Sequence, residues 1–445
     1  MQRNKKLHRV LSALLACIMT LGLSSTALAH GFTDGARTIG FENMNTSLNV
    51  TQIGRYDSGM TNADGGVMEI VDYNNQTGWA YSVNGQAGVL TAIPLNTDAS
   101  KLASSAAVNL LNGRNIDVKA LVVDDGFRYG DMTSVAVSPD GTSLAAAIQA
   151  EDYTANGRVA LFTCNADGTL TFVRTIETGV QPDMVTFTPD GGKILTANEG
   201  EPRQGYSSQE AVDPAGTVTI IETNGYTAQT VGFENFDHNT LAAAGVVLKK
   251  DTAPVVDLEP EYIACTNDTA YVACQEANAI AVLDLNSGIF TGVYSVGFQD
   301  HSKEAIDLGN GDDTYAPQVY ENLKGIRMPD GISLATVDGV DYLLIANEGD
   351  SRAWPVETEE DVNEIKDKTS PNGKKFEKKV TWFDASQYDG LESGVDYLFG
   401  SRSFTLLKVT DAGLKEIFDS GSDFESLENL NCFIDRINTF ADAIY

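Results

Sequence analysis

The chain has 445 residues, of which 62 are Asp or Glu and 30 are Lys or Arg, a formal net charge of −32 at pH 7. Such a field repels nucleic acid and anionic lipid and attracts divalent cations and basic surfaces. Five cysteines are too few for a disulfide scaffold of this length, and four histidines argue against zinc sites and histidine-based catalysis.

Residues 1–29 read as a secretory signal: Arg3, Lys5, Lys6 and Arg9, an apolar core over 10–23, and the small-residue site Ala27-Leu28-Ala29. A lipoprotein reading of Leu14-Leu15-Ala16-Cys17 would leave an apolar core of only about six residues, short of the usual length. Cleavage removes four positive charges, leaving 26 Lys and Arg against 62 Asp and Glu, a net charge of −36. No later stretch reaches the roughly 18 continuous apolar residues of a membrane span. The expected product is secreted or held at the cell surface, with no transmembrane segment in the mature chain.

A strand over 48–56 ends in Asp57-Ser58-Gly59, and four-stranded units follow. The first, near 69–124, turns at Asn74-Asn75-Gln76-Thr77-Gly78 and has its looser fourth strand near 118–123. The second, 131–177, turns at Ser138-Pro139-Asp140-Gly141 and Asn165-Ala166-Asp167-Gly168, where Pro presets φ and Gly accepts the positive φ. The third, 183–233, repeats the device at Thr188-Pro189-Asp190-Gly191. A helical excursion near 238–250 leads to a fourth unit, 261–297, and an acidic connector spans 298–326. In the fourth unit the turn at Asn267-Asp268 sets Cys265 opposite residue 270 and not opposite Cys274, so both thiols are expected free. The fifth unit, 330–420, carries an insert over 351–400 between its second and third strands, either a functional lid or a solvated excursion. Turn chemistry that agrees with strand periodicity in unit after unit predicts an all-β propeller. Its blades occupy 30–421.

Two further expectations concern the ends. The strand over 48–56 lacks inner partners before it, and it ends like Glu177-Thr178-Gly179 and Asp419-Ser420-Gly421. It is therefore expected to complete a blade begun at the other end of the chain. Residues 422–445 place Phe424, Leu427, Leu430, Ile434, Ile437, Ala441 and Ile444 at helical spacing, predicting a helical tail in place of further blades.

Two motif pairs recur. Gln181-Pro182-Asp183 opens a strand pair that closes on Ala197-Asn198-Glu199-Gly200-Glu201-Pro202-Arg203. Met328-Pro329-Asp330 opens another that closes on Ala346-Asn347-Glu348-Gly349-Asp350-Ser351-Arg352. In an up-and-down blade the start of the first strand and the end of the second meet at one rim. Asp183 with Glu199, Glu261 with Glu276, and Asp330 with Glu348 should converge there, with Glu201 and Asp350 just outside and Arg203 and Arg352 close by. Oxygen donors in that number suit Ca²⁺. The alternative is that each acid pairs with an Arg or caps loop N–H groups, tying neighbouring blades together.

The runs Gly54-Arg55-Tyr56-Asp57-Ser58-Gly59, Gly65-Gly66, Glu69-Ile70-Val71, the two A-N-E-G motifs and Gly400-Ser401-Arg402-Ser403-Phe404 resemble the choice-of-anchor I family. That family includes mesenchyme-specific cell surface glycoproteins tied to biomineralisation. The resemblance, over about 45–425, implies a secreted seven-bladed propeller, against about five blades countable here. Some relatives carry alkaline phosphatase labels. After Gly421 the sequence departs from the pattern of further blades and a C-terminal anchor. Two function classes stay open: a non-catalytic propeller whose acidic face binds Ca²⁺, a glycan or a protein, and a Ca²⁺-dependent phosphohydrolase in which Arg203 or Arg352 holds phosphate. No nucleophile motif supports the second.

Overall fold

The structure, a computed structural model, describes residues 54–60, 67–95, 109–123, 126–202, 212–308, 316–350, 352 and 364–423. Residues 1–29, Arg203 and the residues beyond 423 lie outside these residues. Five four-stranded antiparallel sheets follow one another along the chain, each with its strands in sequence order. Blade 1 is Val71–Asn74, Trp79–Asn84, Val89–Pro94 and Arg114–Asp117; blade 2 is Tyr129–Val137, Ser143–Ala150, Asn156–Cys164 and Leu170–Val180. Blade 3 is Pro182–Phe187, Lys193–Asn198, Thr217–Glu222 and Ala228–Val231; blade 4 is Tyr262–Cys265, Thr269–Cys274, Ala279–Asp284 and Ile289–Ser295. Blade 5 is Pro329–Val337, Val340–Asn347, Ser403–Thr410 and Gly413–Asp419. The fold is an all-β propeller of four-stranded antiparallel blades.

Alternation along the inner strands builds the core. In Ser143–Ala150 the residues Leu144, Ala146 and Ile148 pack toward blade 1 with Tyr81 and Leu90. Ala145 and Ala147, on the other face, meet Val185, Phe187 and Ile194 of blade 3. A strand buried on both faces with alanines on each lets two neighbouring sheets approach closely. The same logic places Tyr271, Ala273 and Ile280 of blade 4 against Leu343, Ile345 and Leu407 of blade 5.

The Pro-Asp-Gly turns are structural. Gly141 and Gly191 donate to the carbonyls of Ser138 and Thr188 at 2.8 Å each, and both glycines sit at φ 70°. Asp140 accepts from the Ser138 hydroxyl at 2.6 Å and Asp190 from the Thr188 hydroxyl at 2.7 Å. Cys265 pairs with Ala270, as the turn at Asn267-Asp268 dictates, and Cys164, Cys265 and Cys274 are free thiols.

Three expectations are corrected. The fourth strand of blade 1 is Arg114–Asp117, and the stretch after it begins a helical turn, Val118–Leu121, because the Asp117 carboxylate caps the Ala120 N–H at 2.9 Å. The described part of the N-terminal strand, Gly54–Tyr56, does not complete a distant blade. It pairs in parallel with Asn109–Leu111, and its Tyr56 ring occupies the space that a side chain at Gly113 would need. The insert is no solvated excursion. Together with the acidic connector it forms a five-stranded sheet in the order Phe298–Asp300, Leu323–Ile326, Asp396–Phe399, Lys375–Phe383, Glu364–Thr369. Trp382 and Val380, both buried, seal that sheet against Ile306, Leu323 and Leu398.

The insert returns to blade 5 where Gly400 meets the Ala-Asn-Glu-Gly turn. Gly400 has φ 69°, and a Cβ there would lie 2.0 Å from the Glu348 carbonyl oxygen. Gly400→Ala should lower stability by about 2 kcal/mol, strain of the size expected for a non-glycine residue forced into that conformation. Denaturant unfolding checks this, with Gly373→Ala, which meets nothing within 4 Å, as the milder comparison.

Candidate functional site

Register carries the acidic residues to one rim. Pro182 pairs with Asn198 and Pro329 with Asn347. The preceding residues, Gln181 and Met328, take φ 53° and 51°, which turns their carbonyls toward the end of the second strand. The Glu199 N–H donates to Gln181 O at 3.0 Å and the Glu348 N–H to Met328 O at 3.3 Å. In blade 4 the Glu261 N–H donates to Ala273 O at 3.0 Å. Blades 3 and 5 thus hold the start of the first strand against the glutamate that ends the second, and blade 4 ties Glu261 to the second strand at Ala273.

The acids of successive blades act on one another. Burial pushes the Glu199 carboxyl well above its ordinary range, and Glu201, Asp183, Glu259 and Glu276 add to the rise. Glu261 is raised well above its ordinary range by burial and then by Glu276, Asp330, Glu199 and Asp183. Glu276 is pushed up to about 8, first by burial and then by Asp350. These three side chains are half-buried, so small ions can still reach them. The Gln275 amide nitrogen, in the orientation its surroundings require, donates to both Glu261 oxygens, at 3.2 and 2.9 Å. A bond between Glu261 and Glu276 exists only while one of them carries a proton.

Arg352 is buried and fully engaged. Its Nε donates to Glu259 Oε1 at 2.6 Å, its Nη1 lies 3.3 Å from Asp257 Oδ1, and its Nη2 reaches Asp213 and the Val256 carbonyl. Arg352, Asp257 and Glu259 are 2%, 3% and 1% exposed. Burial raises Asp257 to about 6 despite the guanidinium beside it, and the surrounding carboxylates raise Arg352 above its ordinary range. Glu259 is also raised well above its ordinary range by burial. The second oxygens of Glu259 and Glu276 are buried with no hydrogen-bond partner among the described residues.

A model of the choice-of-anchor I domain matches residues 69–434. The chain belongs to the choice-of-anchor I domain family. A comparison with curated proteins gives no match. Among solved structures the chain is similar to a putative 6-phosphogluconolactonase from Bacteroides uniformis, at 14% identity over 51% of this chain and 55% of that one, with a TM-score of 0.32. It therefore spans little more than half the length of that relative. It is also similar to the Cps50 (Swd1) β-propeller domain of Myceliophteria thermophila, at 9% identity over 85% and 88% of the two chains, TM-score 0.35. A Lactobacillus plantarum protein matches at 12% identity over 74% and 72%, TM-score 0.37. Likenesses this distant carry no argument about activity, and the propeller assignment rests on the chain's own sheets.

In this choice-of-anchor I chain, of the acids expected at the rim, Asp183, Glu201 and Glu276 act on Glu199, Asp330 acts with Glu276 on Glu261, and Asp350 acts on Glu276. Glu348 joins through its backbone position next to Met328. Arg352 does not stand by as an outlying ligand group. It is the hub of an ion network whose other members, Asp213, Asp257 and Glu259, the repeat pattern did not single out. The doubled acid of Glu259-Pro260-Glu261 was the one available signal. Among the described residues, no three His, Cys, Asp or Glu side chains converge closely enough to hold a metal ion. The rim is an open ring of carboxyls and not a closed cage.

Removing Arg352 leaves Asp257 and Glu259 buried without a counter-charge. Arg352→Met should cost about 3–5 kcal/mol, read as a lowered denaturation midpoint. The raised carboxyls also set a pH dependence. The folded-state value of Glu276 lies above its unfolded one, so the stability it contributes is whole below about pH 4.5 and is lost as pH rises through about 8, and the raised Glu199 and Glu261 act in the same direction. In cation-free buffer the thermal midpoint should fall across that window, and Glu276→Gln should flatten the fall.

Proposed function

We propose that this chain is a non-catalytic binding propeller of the cell exterior whose acidic rim receives a divalent cation, Ca²⁺ by the hardness of its oxygen donors, and through it a glycan or protein partner. The observation that carries the reading is the gathering of carboxyls from blades 3, 4 and 5, with buried oxygens of Glu259 and Glu276 left unpartnered. Such a group has three ways to relieve its repulsion: protons, a guanidinium such as that of Arg352, or a bound cation. The rim acids not held by Arg352 therefore exchange protons for cation as pH rises. Because the ring is open, the ion keeps part of its water shell, and affinity is set more by summed charge than by a fitted cage. The family's surface-associated character and the signal-like first 29 residues support the location, and no helix among the described residues is long and apolar enough to cross a membrane.

The phosphohydrolase alternative is less well supported. It needs a guanidinium open to a phosphate; of the two candidates, Arg352 is already bound by three carboxylates and a carbonyl, and Arg203 lies outside the described residues. Calorimetric titration of the purified chain with Ca²⁺ tests the binding reading. Glu199→Gln with Glu348→Gln should weaken the heat-releasing step by about tenfold, and the native affinity should climb from about pH 6 to about pH 9 as protons leave Glu276 and its neighbours. Unchanged binding in the double variant would reduce the rim to a structural tie. Turnover of an aryl phosphate by the same preparation, dependent on Ca²⁺, would favour the hydrolase instead.

A further inference from the structure

The insert holds a local reversal of charge. Residues 366–379 carry six lysines, Lys366, Lys368, Lys374, Lys375, Lys378 and Lys379, and two acids, Asp367 and Glu377, a local net of +4 in a chain of −32. All six lysines are exposed. They lie on the hairpin Glu364–Thr369 and Lys375–Phe383, whose own geometry is firmly set. At its base Phe383 pairs with Tyr397, and Trp382, fully buried, donates its ring N–H to the Asp367 carbonyl at 3.2 Å. At its tip the backbone and side-chain nitrogens of Asn372 both donate to Asp396 at 2.9 Å. Lys374 lies over the rings of Tyr320 and Phe376, at 5.3 and 5.7 Å.

The ladder decides where the charges point. Ile365 pairs with Trp382 and Asp367 with Val380, and Ile365, Val380 and Trp382 belong to the small core beneath. Lys366 alternates with these residues and lies on the opposite, outer face, while Lys368 and Lys379 fall where the ladder shifts register between Asp367 and Thr369 and are exposed there beside Lys375, which pairs with Thr369. Lys366 pairs with Glu364, whereas Lys368, Lys375 and Lys379 hold no ion pair among the described residues. Like charges set close together across neighbouring strands are destabilising. A rule of edge protection explains one or two lysines on a terminal strand, but not a face that collects them on both strands of a pinned hairpin.

We propose that this hairpin face is a docking surface for a linear polyanionic polysaccharide, one whose carboxylate or sulfate groups recur along the chain. Its strands give a rigid platform, so little ordering is needed on binding, and a regularly charged polymer matches a row of lysines better than a single compact anion does. The proposal does not depend on the cation reading.

The test uses the full purified chain and dextran sulfate as the probe, with uncharged dextran of the same size as control. The native protein should bind the sulfated polymer, more weakly as salt rises, and should ignore the uncharged one. Lys368→Gln, Lys375→Gln and Lys379→Gln together should weaken binding about tenfold or more with an unchanged thermal midpoint, since all three side chains are exposed. Equal binding by native and triple variant, equal binding of both polymers, or no binding by the native chain would each overturn the proposal. So would a self-association of the native chain, in the absence of polymer, that the triple variant loses, because that result would give the face to the acidic surface of a second copy.

Discussion

The arrangement of the acidic residues in blades 3 and 5 depends on one backbone relation: the residue before a Pro-Asp start takes a left-handed turn and offers its carbonyl to the N–H of the glutamate that ends the next strand. Gln181 does this for Glu199 and Met328 for Glu348. Once that bond is made, two carboxylates share one end of a blade regardless of what else the sequence does. Packing the blades side by side then adds the charges of neighbours. Clustered acid in this molecule is therefore a product of register, and it must be neutralised by something other than the fold that creates it.

Internal repetition shows how closely the copies follow and where they part. Asn198 donates to Thr217 and Thr219, and Asn347 donates to Ser403 and Thr405, the corresponding positions on the third strand of its own blade. In blade 3 the Asn198 carbonyl oxygen accepts from the Thr196 hydroxyl at 2.8 Å. In blade 5 the residue two before Asn347 is Ile345, and the Asn347 oxygen is left without a partner among the described residues. A single exchange of a hydroxyl for an ethyl group thus separates a satisfied copy from an unsatisfied one. The amide orientation survives because its donors, not its acceptor, hold it.

What could be read in advance follows from the range over which each interaction acts. The Pro-Asp-Gly turns, the alternation of Ser143–Ala150 and the pairing of Cys265 with Ala270 are set by neighbours a few residues apart, and the sequence pattern carried them. The meeting of Pro182 with Asn198 and of Pro329 with Asn347 was also legible, because strand direction fixes which ends meet. Arg352 was not, since its partners Asp213 and Asp257 lie in connections whose course no local pattern dictates. The insert was misread for a similar reason. Its strands match none of the blade signals, and they find partners in Phe298–Asp300 and Leu323–Ile326, across the first half of blade 5. The start of the helical turn at Val118 hung on one capping side chain, Asp117, against a run of valines that favours strand.

The insert sheet has a kinetic consequence. Blades 2 and 4 pair only segments that are neighbours along the chain, so each can close as soon as its residues are available. The parallel pairing of Leu323–Ile326 with Asp396–Phe399 joins segments on either side of the first two strands of blade 5, and the third strand of that blade comes only after Gly400. Loop entropy must be overcome over that whole span before either sheet is complete. Blade 5 and the sheet beside it therefore close on one another, for neither is complete until the chain has passed through both.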